Sequence, residues 1–108
     1  MRIGGTSHQG QALYFIVGTS VSTQADAQEA LDAATPKFGD KQSYFIVQSS
    51  DKFEGMKPGS WVVVEAHRTN PSAANMQFAR RGFPGATVKK ATVRTAEPIP
   101  VYEDMVDE

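Results

Sequence analysis

Two stretches of the chain superpose without a gap, and that correspondence limits the possible folds more than any other feature. With Tyr14 set on Trp61, Val17 meets Val64, Thr23 meets Asn70, Ala27 meets Ala74 and Leu31 meets Phe78. Each stretch opens on a run of β-branched and aromatic residues, as strands do. A residue type that caps helices follows, and then an apolar stripe at helical spacing. Few residues are identical, so the repeat is one of structural role.

The elements follow from local chemistry. Ala12 to Gly18 is a strand, apolar on both faces and ended by glycine. Thr23 to Thr35 is a helix with Thr23 as N-cap and Asp26 in its first turn, where the macrodipole favours an acid. Its buried stripe is Ala27, Ala30, Leu31 and Ala34, and Pro36 stops it. Ser43 to Gln48 is a second strand. Lys57-Pro58-Gly59 suits a type II turn. Ser60 to His67 is a third strand. Asn70 and Pro71 predict the start of a second helix, with Ala74 and Phe78 facing inward, Ala73 or Met76 beside them, and Gly82 as a left-handed C-cap. Ala86 to Arg94 is the fourth strand.

This order, β-α-β twice, predicts one α+β domain of ferredoxin-like βαββαβ type. It would have a four-stranded antiparallel sheet with two helices on one face. Residues 12–94 would form it. Residues 1–11, glycine-rich, would be a flexible leader, and residues 95–108 an acidic extended tail. From Thr95 onward every charge is acidic (Glu97, Glu103, Asp104, Asp107, Glu108). From Ala66 to Arg94 every charge is basic.

Composition removes several functions. The net charge of -1 over 108 residues argues against a basic nucleic-acid binder. At 40% hydrophobic the chain has enough to build a core, unlike a disordered segment. The absence of cysteine removes disulfides, thiolate metal sites and a cysteine nucleophile. No apolar run nears the roughly 20 residues of a membrane span. Met1 to Gly10 lacks the apolar core of a signal peptide, so the expectation is a cytosolic protein or one domain of a longer exported chain.

With two helices on one face, the other face of the sheet would be free for a ligand. Alternation sends Trp61, Val63, Glu65 and His67 to that face, with Tyr14 and Ile16 by the repeat. Tyr44, Gln48, Thr87 and Lys89 are assigned to it as well. No catalytic constellation is readable. The histidines are His8, in the leader, and His67, which has only Glu65 nearby. No cofactor is implied. Gly82-Phe83-Pro84-Gly85 follows a helix, whereas phosphate loops precede one.

The stretch from Ser50 to Val64, with its Lys57-Pro58-Gly59-Ser60-Trp61-Val62-Val63-Val64 strand entry, resembles the SPOR (sporulation-related repeat) domain family. Pro71-Ser72-Ala73-Ala74, Gly82-Phe83-Pro84-Gly85-Ala86 and Thr87-Val88-Lys89 look like its second helix and last strand, and Tyr14 to Gly18 with Ala27 to Ala34 is similar to its first strand and helix. The resemblance runs from about Leu13 to Lys90. The chain departs from the family pattern on strand one, where Ile16 or Val17 stands near a usual glutamine. It departs again at Ala66-His67-Arg68, in place of Gly-Pro-Phe. The resemblance implies a non-catalytic module of a bacterial cell-envelope protein concerned with division or wall remodelling. It would bind peptidoglycan, typically glycan strands stripped of stem peptides, through the sheet face. Tyr14 and Trp61 would stack on sugars, and Gln48, His67, Arg68 and Lys89 would exchange hydrogen bonds. The alternative is a protein–protein interaction or assembly module of the same fold, using the sheet or a strand edge.

Overall fold

The computed structural model describes residues 7–105. The first six residues of the expected leader and residues 106–108 of the tail lie outside the described residues. In chain order the elements are β1 (Ala12–Val21), α1 (Gln24–Ala34), β2 (Ile46–Ser49), β3 (Phe53–Glu54), β4 (Trp61–His67), α2 (Ala73–Gly82), β5 (Thr87–Val93) and α3 (Tyr102–Met105). Short 3-10 turns follow α1 and β2. No helix among the described residues is long and apolar enough to cross a membrane.

The fold is α+β, but the ferredoxin-like expectation of a four-stranded sheet with two helices is overturned. Among the described residues, five antiparallel strands, ordered β2-β4-β1-β5-β3, curl into a half-barrel accompanied by three helices. The added strand has a packing cause. Phe53 is buried with its ring centroid 4.8 Å from that of Phe15. This contact draws the connection after β2 against the sheet, where Phe53 and Glu54 pair with Val93 and Thr92 at the end of β5.

Both faces of the sheet are therefore covered. On one side α1 and α2 enclose Ile16 and Val63 with Phe38, Phe45 and Phe83. On the other, Leu13, Phe15, Val62, Val64 and Ala66 meet Phe53 and Met56 from the connection, and Ile99 and Val101 from the C-terminal segment. Ile99 and Val101 are each only 1% exposed. Val101 forms an isolated parallel bridge to Ala66. It sits where β4 runs on past the short β2, whose pairing reaches only Val64.

The predicted grouping by alternation is kept, but its face is reversed. Trp61, Val63, Glu65 and His67 do share a side with Tyr14 and Ile16, through the pairs Tyr14↔His67 and Ile16↔Glu65. That side is the helix side. Val62, Val64 and Ala66, expected beneath the helices, lie on the other. The strand from Val62 to His67 is buried throughout, so burial gives no contrast from which its faces could be assigned.

Helix ends follow the capping chemistry, with two corrections, both in α2. Thr23 Oγ1 accepts the Asp26 N–H at 3.1 Å, as predicted. The second helix is capped by Ser72 rather than Asn70. Ser72 Oγ accepts the Asn75 N–H and Asn75 Oδ1 accepts the Ser72 N–H, so the reciprocal box satisfies two donors where a lone cap would satisfy one. Phe78 does face inward, half-buried with Met76 beside the buried Ala79 and Gly82, whereas Ala74 is exposed. Gly82 is not a left-handed C-cap but the last residue of α2, which Phe83 caps. A Cβ there would stand 2.5 Å from Phe38 Cζ, so glycine is needed for close packing. Gly18 serves the same end against the Phe83 ring. It is the extra residue of a bulge between the pairs Val17↔Val64 and Thr19↔Val63.

Candidate functional site

Glu65 and His67 are two residues apart on one strand, so their side chains emerge on the same face. Both are almost fully buried. The Glu65 carboxylate accepts from His67 Nε2 at 2.8 Å through Oε1 and from the Tyr44 N–H at 3.1 Å through Oε2. These contacts offset the desolvation of an acid at that depth. His67 Nδ1 faces Glu103 Oε2 at 3.7 Å.

The C-terminal segment completes the site. The Tyr102 ring lies over the imidazole of His67 at 4.6 Å between centroids, nearly parallel, and meets Tyr44 edge-on at 5.7 Å. Its hydroxyl accepts from Asn75 Nδ2 at 3.3 Å. Two further carboxylates anchor the segment to the end of β4. Glu103 accepts the Arg68 backbone N–H at 2.9 Å, and Asp104 accepts from the Arg68 guanidinium. The hydrogen bond to Asp104 raises the Arg68 pKa further above its ordinary value.

Between these parts lies a cleft of about 360 Å³, lined by Lys41, Gln42, Tyr44, Glu65, Ala74, Asn75, Phe78 and Tyr102. Its walls combine three aromatic side chains with two primary amides, one buried carboxylate and one lysine. Four sources converge on it: the stretch before β2, β4 through Glu65, the first turns of α2, and the start of α3.

The six residues expected to bind ligand are not gathered in one place. His67 lies beneath Tyr102, and Arg68 is engaged by the C-terminal segment. Tyr14 sits across from His67 on β1, with Lys90 Nζ 5.4 Å from its ring centroid. Trp61 is at the far end of β4, packed against the helix-side cluster. Gln48, paired with Val62, and Lys89, paired with Phe15, are on the opposite face. Gln48 Oε1 is buried without a hydrogen-bond partner among the described residues.

Sequence reasoning placed Tyr44 and Glu65 on the sheet face but did not join them to Asn75 or Tyr102. Ser72 and Asn75 did carry a signal, the three-residue spacing of a capping box, which fixes the Asn75 side chain at the cleft. Tyr102 carried none, because it follows two prolines in a stretch with no periodicity. Comparison with protein-family models, characterised proteins and solved structures finds no match to the chain, so its family is left to the residues themselves.

Proposed function

We propose that this chain is a non-catalytic glycan-binding module of a bacterial cell-envelope protein, and that it takes a sugar of a peptidoglycan strand in the cleft of Tyr44 and Tyr102. The observation that carries the reading is the composition of the cleft: Tyr44, Phe78 and Tyr102 surround Glu65, Asn75 and Gln42. A pyranose offers an apolar C–H face to an aromatic ring and hydroxyls along its edge. Such a ligand calls for an apolar wall bearing a few placed polar groups. The SPOR-like residues between Leu13 and Lys90 favour peptidoglycan among glycans. The stacking expected of Tyr14 and Trp61 passes in this reading to Tyr44 and Tyr102.

Binding is favoured over hydrolysis because, among the described residues, Glu65 is the one carboxylate lining the cleft. Most glycoside hydrolases need a pair, about 5 to 9.5 Å apart. Both Glu65 oxygens are moreover already held by His67 and Tyr44.

The test is co-sedimentation with purified sacculi, intact or stripped of stem peptides by an amidase. Sedimentation that rises with stripping and falls about tenfold with Tyr44→Ala supports the reading. No sedimentation of the folded chain with either preparation refutes it.

A second reading, assembly with another protein, rests on β5. From Thr87 to Lys89 its outer edge has no strand beside it among the described residues, and Val88 is 38% exposed. A self-associating chain that becomes monomeric with Val88→Lys in sedimentation velocity would support that use of the edge.

A further inference from the structure

A second groove lies on the face of the sheet opposite the cleft, and nothing in the glycan reading uses it. Its cavity is about 200 Å³. Val17, Met56 and Val62 form an apolar floor, and Ser20 and Thr87 bring hydroxyls to the rim. Two lysines line the groove, Lys57 from the turn before β4 and Lys89 from β5. No acidic residue lines the groove, and among the described residues neither lysine is within ion-pair distance of a carboxylate.

Two features build this groove in advance. The bulge at Gly18 moves the alternation of β1 by one residue. Ser20 then pairs with Val62 and faces the groove, while Val21 packs on the helix side. Without the bulge Thr19 would take the place opposite Val62. The loop that carries Lys57 is also pinned. Gly59 has a φ of 82°, as the third position of a type II turn requires. Its N–H donates to Asp51 Oδ1 at 2.9 Å, and the hydroxyl of Ser60 donates to the Lys57 carbonyl at 3.2 Å. A lysine on a fixed turn loses less freedom on meeting a ligand than one on a loose loop.

We infer that the groove binds a small organic anion, with a carboxylate or phosphate head on a short apolar body. The head sits between Lys57 and Lys89, where charge-assisted hydrogen bonds are strongest. The body covers Val17, Met56 and Val62. Ser20 and Thr87 fix the orientation. This inference is independent of the glycan reading, because the cleft and the groove share no residue.

The test is an NMR titration of the full ¹⁵N-labelled chain with butyrate, with inorganic phosphate and with 1-butanol. Saturable shifts of the Ser20, Lys57, Thr87 and Lys89 amides with butyrate support the site and identify the head as a carboxylate. The same shifts with inorganic phosphate support it and point to a phosphate head. Lys57→Gln and Lys89→Gln should each weaken binding roughly tenfold while the rest of the spectrum stays in place. Tyr44→Ala should leave the titration unchanged. The inference is overturned if neither anion gives saturable shifts in the folded chain, if butanol binds as well as butyrate, or if binding survives loss of both lysines.

Discussion

Replacing Ile99 by alanine tests whether the C-terminal segment belongs to the core. Ile99 is 1% exposed and packs in the cluster with Phe15, Phe53, Val64 and Val101. The substitution removes three buried carbons, and roughly 0.8 kcal/mol per carbon puts the transfer loss at about 2.5 kcal/mol. The cavity left between the sheet and the segment adds to this, for a total of about 3 to 4 kcal/mol. A domain of this size has only about 5 to 15 kcal/mol of stability, so the loss is large. Urea unfolding reads it directly: with a slope near 1.5 kcal/mol/M, the midpoint falls by about 2 M and the slope is unchanged. Val88→Ala, on the exposed edge of β5, is the control and should stay within about 0.5 kcal/mol. A loss below about 1 kcal/mol for Ile99→Ala would mean that the segment does not seal the sheet, and would undo the account of two filled faces.

Three further outcomes are expected. Gly82→Ala should destabilise by about 1 to 3 kcal/mol in thermal melts, because its Cβ would meet Phe38 and Ala34, and Phe38→Leu should relieve part of that loss. Glu65→Ala should cost about 3 kcal/mol in denaturant unfolding, since it strands the buried His67 ring and orphans the Tyr44 N–H. The Lys52 ammonium, 2.9 Å from Glu97 and hydrogen-bonded to it, lowers the Glu97 pKa. With the folded value below the unfolded one, the pair contributes above the ordinary carboxylate range, and its contribution is lost as pH falls through the folded value. Glu97→Gln should therefore lower stability slightly at pH values above the carboxylate range, with the difference vanishing on the acid limb of a stability–pH profile and shrinking in high salt.

How far the fold was legible depended on whether a signal was local. The cap at Thr23 and the stripe of Ala27, Ala30, Leu31 and Ala34 were readable because one turn of helix contains all the relevant chemistry. The central strands were readable as strands, from their valines and aromatics. Their faces were not, because a strand buried on both sides offers no alternation to read. Phe53 and Ile99 were hidden for another reason. Each is a single apolar residue among turn formers, and its burial is decided by the distant Phe15 and Val64 rather than by its neighbours. The cleft shares this difficulty. Tyr44, Asn75 and Tyr102 come from three separate segments with no fixed spacing between them, and only the fold brings them together.

The bridge from Val101 to Ala66 also bears on the order of events during synthesis. A chain made from its N-terminus can pair β1 with β4 and lay both helices down before Ile99 and Val101 leave the ribosome. Until they do, Phe15, Val64 and Ala66 lack their last covering layer. The nascent domain then presents a sticky, half-finished sheet to the cell, and a chaperone that holds apolar surface would meet it in that interval. A stall or a premature stop shortly before Ile99 would make the interval permanent. The product would keep nearly all of its secondary structure and yet be prone to aggregate.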